Sequence, residues 1–168
     1  EYTEKNKQLV EKGLDNLFAH LEAVKKSGIP PVVCINHFES DDPEEIAVIR
    51  KGAEAAGVRC AVSKHWLSGG EGALELADAV SDACNDEKNF TFLYNDDAPL
   101  REKVYKIATE IYGADGVTYS EKAKKKAERI EKDPLLSKLA TCMVKTHLSL
   151  SHDPELKNRP VGWTLPIR

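Results

Sequence analysis

Hydrophobic and polar positions alternate along this chain with two different periods. Over residues 3–27, Val10, Leu14, Leu17, Leu21 and Val24 recur at three- and four-residue steps, with Leu9 and Phe18 beside them. That spacing predicts an amphipathic helix, and Ser27-Gly28-Ile29-Pro30 supplies its stop. Next, PVVCIN (31–36) is a continuous apolar run of strand length, the pattern of a strand covered on both faces. Asp41-Asp42-Pro43-Glu44-Glu45 has the parts of a helix start, with an Asp cap, Pro at the first helical position and acids in the first turn. This helix is expected to run to Gly57, followed by a strand at VRCAVS (58–63). LSGGEG (67–72) is a glycine-rich turn that opens a further helix carrying Ala73, Ala77, Val80 and Cys84 on one face.

The second half is less regular. FTFLY (90–94) has strand composition, and Pro99 begins a helix bearing Val104, Ile107, Ala108 and Ile111, which stops at Gly113. Ser120 can cap the basic helix EKAKKKAERIEK, which Asp133-Pro134 interrupts. CMVK (142–145) is expected as a strand, THLSLSHDPE (146–155) as a polar loop, and GWTLPI (162–167) as an edge strand containing Pro166. Alternating helices and strands predict an α/β fold: an open, mainly parallel sheet with helices on both faces, followed by a smaller α+β portion. The expected division is 1–115 and 116–168.

Composition narrows the function classes. The 168 residues are 41% hydrophobic and 31% charged, the profile of a globular domain with a core of its own. The 24 basic and 28 acidic residues give a net charge of −4, without the basic excess of a nucleic-acid binder. No apolar run approaches the roughly 18 residues of a membrane span. Cys34, Cys60, Cys84 and Cys142 include no CxxC pair, so no metal site is expected and buried free thiols are. The chain opens EYTEKNKQLV and ends PVGWTLPIR, and it reads as an excised segment.

In open α/β sheets, ligands sit outside the carboxyl ends of the strands. The first strand delivers Asn36-His37-Phe38-Glu39 to that edge and the second delivers His65-Trp66. Asn36 offers the paired donor and acceptor of an adenine-reading amide, or is a polar turn residue. Phe38 and Trp66 suit a stacking sandwich around a flat heterocycle, or pack over the sheet edge. Gly69-Gly70-Glu71-Gly72 presents N–H groups to an anion or makes a tight turn; no GxxxxGK[ST] occurs. The run Lys145 to His152 could line a phosphate or nucleotide pocket, whereas a Ser–His hydrolase lacks its G-x-S-x-G elbow. The basic residues Lys122 to Lys132 read as a solvated helix face rather than a dock for a polyanion.

Four segments carry a family resemblance: LDNLFAHLEAVKKSGIPPVVCINHF (14–38), KHWLSGGEGALELADAV (64–80), IYGADGV (111–117) and CMVKTHLSLSHDPELKNRPVGWTLPIR (142–168). In that order the chain resembles formate–tetrahydrofolate ligase, and the last segment is especially similar to the ligase domain of trifunctional one-carbon enzymes. The resemblance implies an ATP-dependent ligase. It forms 10-formyltetrahydrofolate through formyl phosphate, uses magnesium and a monovalent cation, and is commonly a homo-oligomer. It also implies a folate clamp of Phe38 and Trp66 with Val62 as pocket floor, and a nucleotide side of Asn36, Lys145, Thr146 and Ser149. No catalytic residue is implied within these 168 residues. The family's phosphate-binding loop has no counterpart here, so the remainder of a ligase chain would be the partner that supplies it. Asn95 stands where the family has an aspartate, and residues 133–138 depart from the family's glycine-containing approach to the CMVK segment. The implied compartment is cytoplasmic, or mitochondrial behind an upstream transit peptide. Non-catalytic ligand binding and a purely structural role are the alternative readings.

Overall fold

Asn6 starts the first helix because its side chain accepts from the Leu9 N–H, satisfying an amide that the helix leaves free. In the computed structural model, which describes residues 4–168, helix α1 runs Lys7–Lys25. The expected start at Thr3 lies outside the described residues. The chain then forms β1 (Val32–Asn36), α2 (Pro43–Ala55) and β2 (Arg59–Ser63). Asp42 caps α2 through the Glu44 N–H at 2.8 Å, Pro43 fills the first turn, and Gly57 follows the last turn at φ +66°. A four-residue helix α3 (His65–Ser68) and a 3₁₀ turn (Gly69–Ala73) lead into α4 (Leu74–Asn85).

Strands β1 and β2 pair in parallel, Val32 opposite Arg59 through Asn36 opposite Ser63. On one side Leu21, Val33, Ala53 and Val58 form a core to which Leu17, Phe18 and Ile49 contribute. Helix α4 packs against the strands as well, and Ala61 and Ser63 of β2 are buried. The apolar run of β1 predicted cover on both faces. Val33 and Ile35 are buried but Cys34 is exposed, so one face of β1 is open among the described residues. The expectation of buried thiols fails for the same kind of reason: Cys34, Cys84 and Cys142 are exposed and Cys60 half-buried, all four free.

The described residues up to Phe90 form one compact unit and residues 91–168 a second. The second contains α5 (Leu100–Lys106), which runs into a π-helical turn (Ile107–Ile111), then β3 (Gly116–Tyr119), α6 (Glu121–Lys132), a 3₁₀ turn (Leu136–Lys138) and β4 (Thr164–Ile167). Helix α5 packs on α6 and β3. Strands β3 and β4 are parallel, and their core is Ala108, Ala114, Trp163 and Leu165 with Met143 against it. The carbonyls of Trp163 and Ile167 accept from Asp115 and Ser120. Odd-numbered β4 residues therefore face β3, and Pro166 turns its missing donor to the open edge.

The fold is α/β, with the four strands of the described residues in two separate parallel pairs rather than one extended sheet. Two expected strands are absent. FTFLY is irregular, with Phe90 and Phe92 exposed, and CMVK joins no strand ladder. Conversely, GVTY forms a strand that its short, weakly alternating pattern did not announce. The basic helix is as expected: Ala123 and Ala127 are buried, and Lys122, Lys124, Lys125, Lys126, Arg129 and Lys132 are exposed or nearly so. Ser120 accepts from the Ala123 N–H at 3.2 Å, so Ser120→Ala is expected to cost about 1 kcal/mol of second-unit stability in thermal denaturation.

Candidate functional site

Parallel pairing puts the carboxyl ends of β1 and β2 at one edge, and the loops leaving them carry the first group of candidate residues. Asn36 ends β1 and is exposed; Val62 is the penultimate residue of β2 and half-buried. The pairing continues one residue beyond β1, where the His37 N–H donates to the Ser63 carbonyl at 3.0 Å. Phe38 follows in a turn closed from both sides: its N–H donates to the Asp41 carboxylate at 2.8 Å and its carbonyl accepts from the Asp41 N–H at 3.0 Å. Its ring is 49% exposed.

Trp66 is held by a different device. Ser63 hydrogen-bonds His65 Nδ1 at 2.9 Å, and the Lys64 N–H donates to the Gly72 carbonyl at 2.7 Å. A Cβ on Gly72 would lie 2.4 Å from the Lys64 carbonyl oxygen. The glycine-rich turn therefore serves as a close backbone approach that folds residues 69–73 against the loop carrying Trp66. Trp66 itself is 76% exposed, a large apolar surface left in solvent on a well-fixed backbone. His37, delivered to this edge by the first strand without a role assigned from sequence, has its Nδ1 buried without a hydrogen-bond partner between Asn36 and Phe38. Its place between two candidate residues was the available signal.

Asn36 belongs to the first unit, and Lys145, Thr146 and Ser149 to the second. There, side chains organise the polar loop. Lys145 Nζ donates to the carbonyls of Thr146, at 3.0 Å, and Ser149, and sits 4.7 Å from the centre of the Tyr112 ring. Its partial burial pushes the ammonium below the usual lysine range. Thr146 Oγ1 accepts from the Leu148 N–H at 3.2 Å, and the Ser149 hydroxyl meets that of Ser151 at 3.0 Å. Lys145 and Thr146 line a cavity of about 550 Å³ whose other walls include Val104, Ala127, Met143 and Leu165; Ser149 is not among its lining residues. The volume falls within the range of small-molecule pockets.

Comparison with known proteins bears on what these groups serve. The family model for formate–tetrahydrofolate ligase matches residues 1–168. The chain belongs to the formate–tetrahydrofolate ligase family. It is 59% identical over 167 residues to the formate–tetrahydrofolate ligase of Dehalococcoides mccartyi, covering 99% of this chain and 28% of that protein. It is 56% identical to the ligase of Syntrophobacter fumaroxidans, over 100% of this chain and 29% of the relative. The ligase of Desulfotalea psychrophila is also 56% identical, over 100% and 30%. The chain thus corresponds to a segment of the ligase, spanning less than a third of the curated relatives' length. Among the described residues no helix is long and apolar enough to cross a membrane.

Proposed function

We propose that this chain forms the folate clamp and the adenine-side wall of an ATP-dependent formate–tetrahydrofolate ligase. In that reaction ATP phosphorylates formate to formyl phosphate and ADP, and N10 of tetrahydrofolate attacks the formyl carbon and expels phosphate. Phe38 and Trp66 stack on the two faces of the folate ring system, and Val62 lines the floor. Asn36 reads the adenine edge, and the loop organised by Lys145, Thr146 and Ser149 contacts the nucleotide. The observation that carries the reading is the pair of exposed aromatic rings on the two loops leaving adjacent parallel strands, each on a backbone fixed by its own hydrogen bonds.

The phosphoryl-transfer machinery belongs to the remainder of the ligase chain. Residues 1–168 contain no Walker-type loop, and among the described residues no three His, Cys, Asp or Glu side chains converge on one point. A magnesium ion would be held mainly by the nucleotide phosphates, which need only one or two protein carboxylates beside them. Lacking a cradle for the transferring phosphoryl group, the isolated chain is expected to release no ADP from ATP and formate. A coupled ADP assay on chain freed of full-length ligase checks this, and turnover would sink the division of labour. Folate binding is tested separately, by tryptophan-fluorescence titration with tetrahydrofolate, correcting for ligand absorbance and using Trp66→Phe to separate the signal from Trp163. Saturable quenching lost in the variant is expected, and its absence overturns the folate assignment.

A further inference from the structure

Among the described residues Lys103 is the largest side chain with essentially no exposure, at 0%. An ammonium group is costly to bury unless each of its three protons finds an acceptor. Here the acceptors are backbone carbonyls: Asp96 at 2.6 Å, Leu139 at 3.1 Å and Ser137 at 3.5 Å. The Tyr94 ring lies beneath the same nitrogen, 5.7 Å from its centre. The Tyr94 hydroxyl in turn accepts from the Thr141 N–H at 3.1 Å and donates to the Thr141 carbonyl at 3.4 Å. Met143 packs on the second core, and Lys145 rests on Tyr112. The chain is thus tied at every second residue from Ser137 to Lys145, while Cys142 and Val144 between the ties face solvent. The first two ties bracket the end of the 3₁₀ turn Leu136–Lys138 and the other three hold irregular chain that joins no strand ladder, and Lys103 and Tyr94 make three of the five.

We propose that Lys103, with Tyr94, is a positioning residue for nucleotide binding: together they set the course of residues 137–141 and so the placement of Lys145 and Thr146 at the cavity. The proposal rests on the nucleotide reading of Lys145 and Thr146 given above. A buried ammonium suits the task because it pulls together carbonyls from two segments, 96 and 137–139, that share no backbone ladder.

The test uses the 168-residue chain, with ATP affinity from equilibrium dialysis and hydrogen exchange read on peptides covering 137–146. Lys103→Met keeps the stem and removes the charge, Lys103→Arg keeps a cation, and Tyr94→Phe keeps the ring but releases Thr141. Tetrahydrofolate affinity, read in the first unit, and the far-UV spectrum report on unintended global damage. We expect Lys103→Met to speed exchange in 137–146 at least tenfold and weaken ATP binding about tenfold, with tetrahydrofolate binding unchanged. Lys103→Arg should recover part of both, and Tyr94→Phe, which leaves the buried charge satisfied, should weaken ATP binding about threefold even if Lys103→Met fails to fold. No ATP binding by the unaltered chain, or none lost in Lys145→Ala, overturns the nucleotide reading and the positioning role with it. ATP affinity that falls in Lys145→Ala but not in the folded Lys103 and Tyr94 variants overturns the positioning role alone.

Discussion

Trp66→Ala is expected to weaken tetrahydrofolate binding by about 30- to 150-fold while leaving the fold intact. Removing an aromatic platform from a stacked heterocycle costs roughly 2–3 kcal/mol, and each 1.4 kcal/mol is about a factor of ten. The side chain is 76% exposed, so its truncation removes little packing from the free protein. The loss should therefore appear in affinity and be nearly invisible in stability. Trp66→Phe keeps a smaller ring and should lose only about three- to tenfold. Phe38→Ala should also weaken binding, by less, because its ring offers less stacking area. In a double-mutant cycle the two losses should fail to add if both rings grip one ligand. Calorimetric titration decides the matter, and a Trp66→Ala protein that binds tetrahydrofolate within twofold of the parent removes Trp66 from the site.

The first unit was legible because its elements are announced locally. The Asp42 cap with Pro43, the glycine at 57 and the apolar runs at 31–36 and 58–63 each act over a few residues, and all appear where expected. The candidate rings were legible for a related reason: a strand end followed by an aromatic residue is a short-range pattern. What escaped depends on groups far apart in sequence. Tyr94 reaches Thr141 across 47 residues and Lys103 reaches Leu139 across 36, so nothing within CMVK could reveal that the chain leading into it is held by side chains rather than by a neighbouring strand. The exposed face of β1 is a case of the same kind. Its apolar run specifies cover on both faces, and the cover for one of them is not supplied by the described residues. Cys34 reads as a core residue in sequence and is a surface residue in this chain.

Gly28→Ala is expected to destabilise the first unit by roughly 3 kcal/mol, for two reasons that a control separates. Gly28 ends the α1 region at φ +73°, a left-handed conformation that costs an alanine about 1–2 kcal/mol. In addition, a Cβ there would fall 1.8 Å from the Asn89 carbonyl oxygen and 2.6 Å from its carbon. Both are backbone atoms, so relief requires moving the chain that leaves α4, and the Asn89 N–H would lose its 3.2 Å bond to the Gly28 carbonyl. Gly57 has a similar φ, +66°, but nothing lies within 4 Å of a Cβ built on it. Gly57→Ala should therefore show the conformational cost alone, and the excess in Gly28→Ala measures the steric one. Urea unfolding followed by circular dichroism, with hydrogen exchange in α1 to assign the loss to this unit, provides the comparison. Equal midpoints would mean that Asn89 yields freely and that the junction is a soft contact. A large excess would mean that the α1-to-β1 connection is wedged against the exit of α4. The start of β1, and with it the loop that carries Phe38, would then take its position from that wedge.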